Sequence, residues 1–502
     1  MPFTRRTMRR PPARPIIRAM LLVAAAPAGS PRDTYPKNYG IDVEHYTFTI
    51  TLSDATDVIR GVATIRARFV AAGQRQLRLD LVGMADSPEG GGMTVDGIHL
   101  RAGPGSPAGR ILTWTHERDQ LFIDLGTEVA GGEPVEVEIA YHGRPASGLK
   151  IGPNKYGDRT FFSDNWPHRA RNWLPTIDHP YDKATSEMRV TAPAHYQVVS
   201  NGLLVEVTDL GGGMRLTHWK QSVPIATWLF ALGAAGFAVQ HRGTAAGVPV
   251  QTWVYRQDRD AGFADFAQPT TDVLAYYSDR IGPYSYEKLA NVVANSVNGG
   301  MEAASSIFYG DRSVTGTGDR GWRDVVTHEI AHQWFGNAVT ESDWDDVWLS
   351  EGFATYFTLL YREHAYGRDD FVAGLRQSRD RVLAFYETRP DYRVVHDNLA
   401  DMAASDCRPA PGRTSPSQRS RSDRFWNERT VAFWMSGAEP AQIASGGGRS
   451  SGVVASGRKS TPGPPGDRIT PSVALLSRAR TTHWQGPHRG RGSAGRSIPR
   501  AR

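Results

Sequence analysis

The chain has 502 residues, 40% of them hydrophobic and 22% charged, with a formal net charge of +6 and a single cysteine, Cys407. Such a length is too great for one hydrophobic core and sufficient for two or three domains, and one cysteine excludes both an internal disulfide and a cysteine-rich zinc ribbon, so a metal has to rest on histidines and carboxylates. The positive charge is local: 17 of the 58 Lys and Arg but only 6 of the 52 Asp and Glu lie from residue 401 onward, which leaves the main body net acidic and gives no reason to expect nucleic acid as its partner.

In chain order, residues 1–28 read as an export signal: "MPFTRRTMRRPPARP" is basic, "AMLLVAAA" is apolar, and Ala26-Pro27-Ala28 offers small residues for cleavage. The apolar run is far too short to span a bilayer, and a disordered basic leader is the competing reading. The chain is thus expected to be exported, periplasmic or secreted, if the signal is used, and cytoplasmic otherwise. No later segment reads as transmembrane. From residue 36 to 240 come "HYTFTITL", "RGVATIRARFV", "RQLRLDLVG", "QLFIDLG" and "VEVEIAYHG", β-rich runs with partial alternation, separated by Gly, Pro and Asp. They predict an antiparallel β domain, a sandwich or saddle.

Residues 241–402 change period. "TTDVLAYYSDRIG" reads as a helix closed by Gly282, "KLANVVANS" as a strand, and helices are expected at about 322–335, 347–366 and 369–388. The fold class is therefore multidomain α+β, a β domain followed by a mixed, mostly helical one. Residues 403–502 change texture again. From 401 on, Gly, Pro, Ser and Arg make up 54 of 102 residues; apart from a patch such as "TVAFWM", this stretch is too poor in apolar surface to offset the entropy of ordering it. It reads as a disordered tail, with a phosphate-binding arginine arm as a lesser alternative.

Within the second domain, "VVTHEIAHQWFGN" places His328 and His332 one turn apart on the same side of a helix, as two imidazole ligands of one zinc must be. Glu329, beside the first ligand, is then placed to act as general base toward a water on the metal. Five such letters arise by chance in roughly one chain in a hundred of this length, so support is needed. It comes from "DDVWLSEGFATYF": Glu351 follows His332 by 19 positions on a second expected helix. Two His and one carboxylate with an open fourth position form a catalytic zinc set, one Zn2+ per chain, rather than a closed structural one. The bland alternative is two surface helices with incidental His and Glu.

With "GGMEA" at 299–303, these motifs resemble the M1 family of zinc aminopeptidases, the gluzincins related to aminopeptidase N and leukotriene A4 hydrolase. "ARNWLPTIDHPYDKATSEMRVTAP", "VVSNGLL" and "SVPIATWLFALGAAGFAV" extend the similarity over roughly residues 36–402. The resemblance implies a saddle-like β domain on a thermolysin-like zinc metallopeptidase domain, and peptide substrates with a free N-terminus. It also implies that Glu302 binds the substrate's α-amine from an edge strand whose Gly299, Gly300 and Met301 hold the peptide. A carboxylate fixed beside the scissile bond selects an ammonium by a charge-assisted hydrogen bond, which makes an exopeptidase.

Four positions depart from the family's pattern. Ala303 stands where the family has Asn, and Asp164 in "SDNWPHRAR" is the nearest candidate for a second amine-binding acid. Thr358 stands where many members carry a carboxylate that orients a ligand, a role worth 10- to 100-fold in the general case. The family's catalytic tyrosine, in a Tyr-x-Lys-Gly context, has no counterpart, since the last tyrosine is Tyr392 in "RPDYRVV". Loss of such an oxyanion donor costs about 10²- to 10³-fold in turnover. The expectation is an incomplete catalytic domain whose end is replaced after about residue 403 by a frameshifted tail; a Tyr-x-Lys-Gly helix in another reading frame of the coding DNA past codon 403 would establish it. The competing function is a zinc-binding protein without catalysis.

Overall fold

The computed structural model describes residues 35–84, 90–101, 108–388 and 390. The expected leader at 1–28, the tail at 403–502 and Tyr392 lie outside the described residues. The strands of the first domain are, in chain order, Ile41–Thr51 (β1), Ile59–Phe69 (β2), Gln74–Asp80 (β3), Gly92–Arg101 (β4), Ala108–Ile111 (β5), Thr113–Glu117 (β6), Gln120–Val129 (β7) and Pro134–Arg144 (β8). They continue with Leu149–Pro153 (β9), Arg159–Ser163 (β10), Lys183–Pro193 (β11), Gln197–Ser200 (β12), Leu203–Gly211 (β13), Met214–Ala226 (β14) and Leu232–Ala235 (β15). An eight-stranded sheet has the order β13-β14-β11-β1-β2-β8-β4-β5, beside a four-stranded sheet β12-β15-β10-β9 and a three-stranded sheet β3-β7-β6.

Alternation places Tyr46, Phe48 and Ile50 of β1 and Ala63, Ile65, Ala67 and Phe69 of β2 in the core, as a period of two requires. The pairing is antiparallel as the pattern suggests, except that β1 runs parallel to β11, with His45 opposite Thr185. Residues 52–182 separate these two strands, so no tight turn forces them antiparallel.

The second domain begins with Phe237–Ala245 (β16) and Val248–Tyr255 (β17), followed by Arg259–Arg280 (α1), Leu289–Ala294 (β18), Gly300–Met301 (β19) and Ser306–Gly310 (β20). The division expected at residue 240 falls inside β16, which pairs with β17 and not with the first domain's sheets. The sheet order is β16-β17-β18-β20-β19. The middle strand β18 is buried at every position, as a strand covered on both faces has to be, while β19 forms the edge. Three helices follow, Arg320–His332 (α2), Trp348–Tyr366 (α3) and Arg368–Thr388 (α4). Helix α1 starts well before the expected Thr270. Pro269 lies inside it and mimics a helix start, whereas the Thr270 hydroxyl donates back to the Phe266 carbonyl at 2.6 Å.

One continuous apolar core runs through both domains, from Ile41 to Ala354. Polar ties cross the same boundary: the Asn201 amide donates to the Ala304 carbonyl at 2.6 Å, and the Gly202 N–H to Ser305 Oγ at 2.7 Å. Among the described residues no helix is long and apolar enough to cross a membrane.

Candidate metal centre and active site

Helix α2 is fixed before it begins. Asp265 of α1 accepts the N–H groups of Thr315, Gly316 and Gly318 at 2.6, 2.7 and 2.9 Å, which shapes the preceding loop. Asp319 then caps the helix by accepting the Trp322 N–H at 3.0 Å. Val326, Ile330 and Ala331 anchor it in the core, and the remaining face turns His328 and His332 toward α3.

The two Nε2 atoms stand 2.9 Å apart. Glu351, in the first turn of α3, places Oε2 3.3 Å from His328 Nε2 and 3.8 Å from His332 Nε2. Ligands at zinc distances in a tetrahedron stand about 3.3 Å apart, so this donor set fits zinc with one position left over. It is the group of His, Cys, Asp and Glu among the described residues whose donor atoms converge in this way. His332 Nδ1 faces the Phe335 carbonyl at 3.1 Å and Ser350 Oγ at 3.0 Å. A carbonyl only accepts, so Nδ1 carries the proton and Nε2 offers its lone pair to the cluster. Burial, reinforced by His328, lowers His332 to about 4, which keeps it neutral, as ligation needs. Burial raises Glu351, but its interaction with His332 and its hydrogen bond with His328 outweigh it and hold the carboxyl below its ordinary value.

Glu329 is buried, and its carboxylate lies over Gly300 of β19. A Cβ at Gly300 would stand 2.1 Å from Glu329 Oε1, whereas Gly299 faces nothing within 4 Å. Glu302 follows β19 directly and is 6% exposed, with Oε1 4.0 Å from His332 Nδ1. Burial first, then Glu351, pushes its carboxyl well above the usual range. A buried acid of this kind gains most from a cation that replaces the water it has lost.

The other expected residues are placed as follows. Met301 is in the core, so only its backbone could meet a peptide. Ala303 is also buried. Asp164 pairs with Arg169 at 2.8 Å, and its charge reaches Glu302. The Thr358 hydroxyl donates to its own helix, at the Ala354 carbonyl, 2.8 Å away. Tyr309 is wholly buried on β20, and burial first, then the charge of Glu329, raises its hydroxyl well above its ordinary value. Sequence reasoning passed over Gln333 and Asn337, whose amides reach the Glu302 carbonyl at 3.0 and 2.6 Å. The signal was present as two amides in "HQWFGN", just past the second ligand.

The model of the peptidase M1 N-terminal domain matches residues 42–229, and that of the peptidase family M1 domain matches residues 267–396. A glutamyl aminopeptidase of Bitis rhinoceros is 30% identical over 208 residues, 39% of this chain and 22% of that protein; the chain spans about a fifth of the length of the curated relatives it matches. An M1 zinc metallopeptidase from Deinococcus radiodurans is 26% identical with a TM-score of 0.59, covering 73% of this chain and 79% of that one. A mutant of an M1 zinc metallopeptidase from the same organism, solved bound to a Tyr-Ser-Ala substrate, is 25% identical with a TM-score of 0.59, covering 72% and 79%.

Proposed function

The chain belongs to peptidase family M1, whose two domain models together match more than half of its length, and from that premise we propose that it is a zinc-dependent aminopeptidase, removing the first residue from peptides with a free amino end. The observation that carries this reading is the placement of a second buried carboxylate, Glu302, 4.0 Å from the ring of His332. His328, His332 and Glu351 would hold one zinc ion. When bound, zinc supplies a Lewis acid for the scissile carbonyl and a lowered pKa for water. Glu329 takes the proton of the attacking water on its carboxylate and returns it to the departing amine. Glu302 holds the α-ammonium in a water-poor setting where a charge-assisted bond is strong, so the bond that reaches the reacting position is the first in the peptide.

A second reading has its own observation. The sequence contains no Tyr-x-Lys-Gly, and loss of the oxyanion donor that this motif carries in the family lowers turnover by about 10²- to 10³-fold. One experiment addresses both. The purified full chain is assayed for metal content and for release of chromophore from an aminoacyl anilide and its N-acetylated counterpart. We expect one zinc per chain, slow release from the free-amine substrate only, loss of release on chelation and its return with zinc. Zinc without release selects the inactive reading, and chains that take up no zinc overturn both.

A further inference from the structure

We propose that Gln333 and Asn337 are positioning residues: two amides at the end of the ligand-bearing helix grip the Glu302 carbonyl and thereby set the spacing between the metal ligands and the amine anchor. The inference rests on the reading of Glu302 as that anchor. Strand β19 is only two residues long, pairing Gly300 with Tyr309 and Met301 with Phe308. Its ladder stops one residue before Glu302, so the sheet does not place the anchor. Instead the Glu302 carbonyl accepts Gln333 Nε2 at 3.0 Å and Asn337 Nδ2 at 2.6 Å, which occupies both of its lone pairs.

Both amides are tied to a metal ligand. Gln333 is the residue after His332, and the Asn337 N–H donates to the His332 carbonyl at 3.1 Å. Gln333 Oε1 in turn accepts the Ser305 N–H at 3.0 Å and the Tyr284 hydroxyl at 3.2 Å. Both side chains are buried, and the orientation of the Asn337 amide is dictated by its partner, because its oxygen would face another oxygen. The far end of the segment is held independently. Ser305 sits in the left-handed region at φ 62, a conformation that persists only where its surroundings impose it, here the Gly202 N–H on its hydroxyl. Lys288, wholly buried, donates to Ser306 Oγ and to the Ser200 carbonyl, each at 2.8 Å. The anchor is thus suspended between two clamps, and the one on its catalytic side is built from the segment that directly follows the ligand-bearing helix. A displacement of about 1 Å in such a constellation is worth on the order of 100-fold.

The test uses the full chain loaded with zinc, in the wild-type, Gln333→Met, Asn337→Leu and Glu302→Ala forms, with Asn337→Ser as a milder variant should the leucine disturb folding. Binding of L-tryptophan and of N-acetyl-L-tryptophan is measured by calorimetry, and hydrogen exchange is followed over residues 299–306. We expect unchanged zinc content, faster exchange at 303–305, and at least a 10-fold loss of preference for the free amine in the Gln333 and Asn337 variants, approaching that of Glu302→Ala. A merely structural role would lower the thermal midpoint and leave the preference intact. Unchanged exchange, or an unchanged preference in folded variants when Glu302→Ala has lost it, overturns the positioning role alone. A preference that survives Glu302→Ala overturns the anchor reading, and the exchange data still decide whether the clamp exists.

Discussion

A methyl group on Gly300 would stand 2.1 Å from Glu329 Oε1, 2.2 Å from its Cδ and 2.4 Å from its Cγ, so Gly300→Ala displaces the whole carboxylate arm. Gly299 meets nothing within 4 Å and its backbone lies outside the left-handed region, so Gly299→Ala displaces nothing. Both variants should fold and take up zinc. For a free-amine substrate, kcat/KM should fall about 100-fold in Gly300→Ala, as expected when a general base is moved by about 1 Å, and stay within about twofold in Gly299→Ala. Equal effects in the two would remove the contact with Glu329 from the account. In the sequence the two glycines are indistinguishable neighbours of one motif, because what separates them is a side chain on another element. His328, His332 and Glu351 were legible for the opposite reason: helix periodicity alone puts the first two on one face, and the third lies in the first turn of the next helix. Gln333 and Asn337 fall outside that logic. They lie past the helix end, and their role depends on a strand that reaches them from earlier in the chain.

Among elements, α2 depends on its approach more than on its own propensity. Asp265, 9% exposed, accepts hydrogen bonds from three backbone N–H groups of the loop at 315–318, whereas Asp319 supplies a single cap. Replacing Asp265 by Ala leaves three half-buried N–H groups without their acceptor and should cost about 2 kcal/mol, against about 1 kcal/mol for Asp319→Ala. Urea denaturation of the two variants checks the order, and a larger loss at Asp319 would show that the cap, not the loop, sets the helix. The three helices α2, α3 and α4 were legible to within a few residues because their apolar spacing survives in each. The first turns of α1 were not. Proline inside a helix reads as its start when the residues before it carry no strong pattern, and the compensation, Thr270 bonding Phe266, is a matter of side-chain geometry. The carboxylate that organises the loop before α2 sits on those same unrecognised turns, so its role was hidden with them.

At the scale of the whole molecule, the β domain is tied to the segments that carry the candidate site. Lys183 of β11 donates to the Asn337 and Ala338 carbonyls at 3.2 Å each, at the turn that ends the ligand-bearing segment. Lys288 lies 4.9 Å from the ring centre of Trp219 on β14 and bonds Ser200 beyond the end of its own domain. Phe162 of β10 meets Phe308 of β20 edge to face at 5.7 Å, within a core that does not divide between the domains. The alternation of "HYTFTITL" and its neighbours made the β domain legible as a fold, but its dependence on the second domain was not. Strand patterns specify which face is buried and say nothing of what covers it, as the parallel pairing of β1 with β11 also illustrates. Residues 237–388 produced alone would deprive the buried ammonium of Lys288 of the Ser200 carbonyl, lose the ties on Ala304, Ser305 and Asn337, and leave apolar surface of the shared core in water. That fragment should therefore lack a cooperative thermal transition and bind less than one zinc per chain, while residues 35–388 should unfold cooperatively and bind zinc stoichiometrically. Zinc content together with near-ultraviolet circular dichroism decides the matter: a fragment that folds cooperatively and binds zinc stoichiometrically would mean that the second domain positions its ligands without the first.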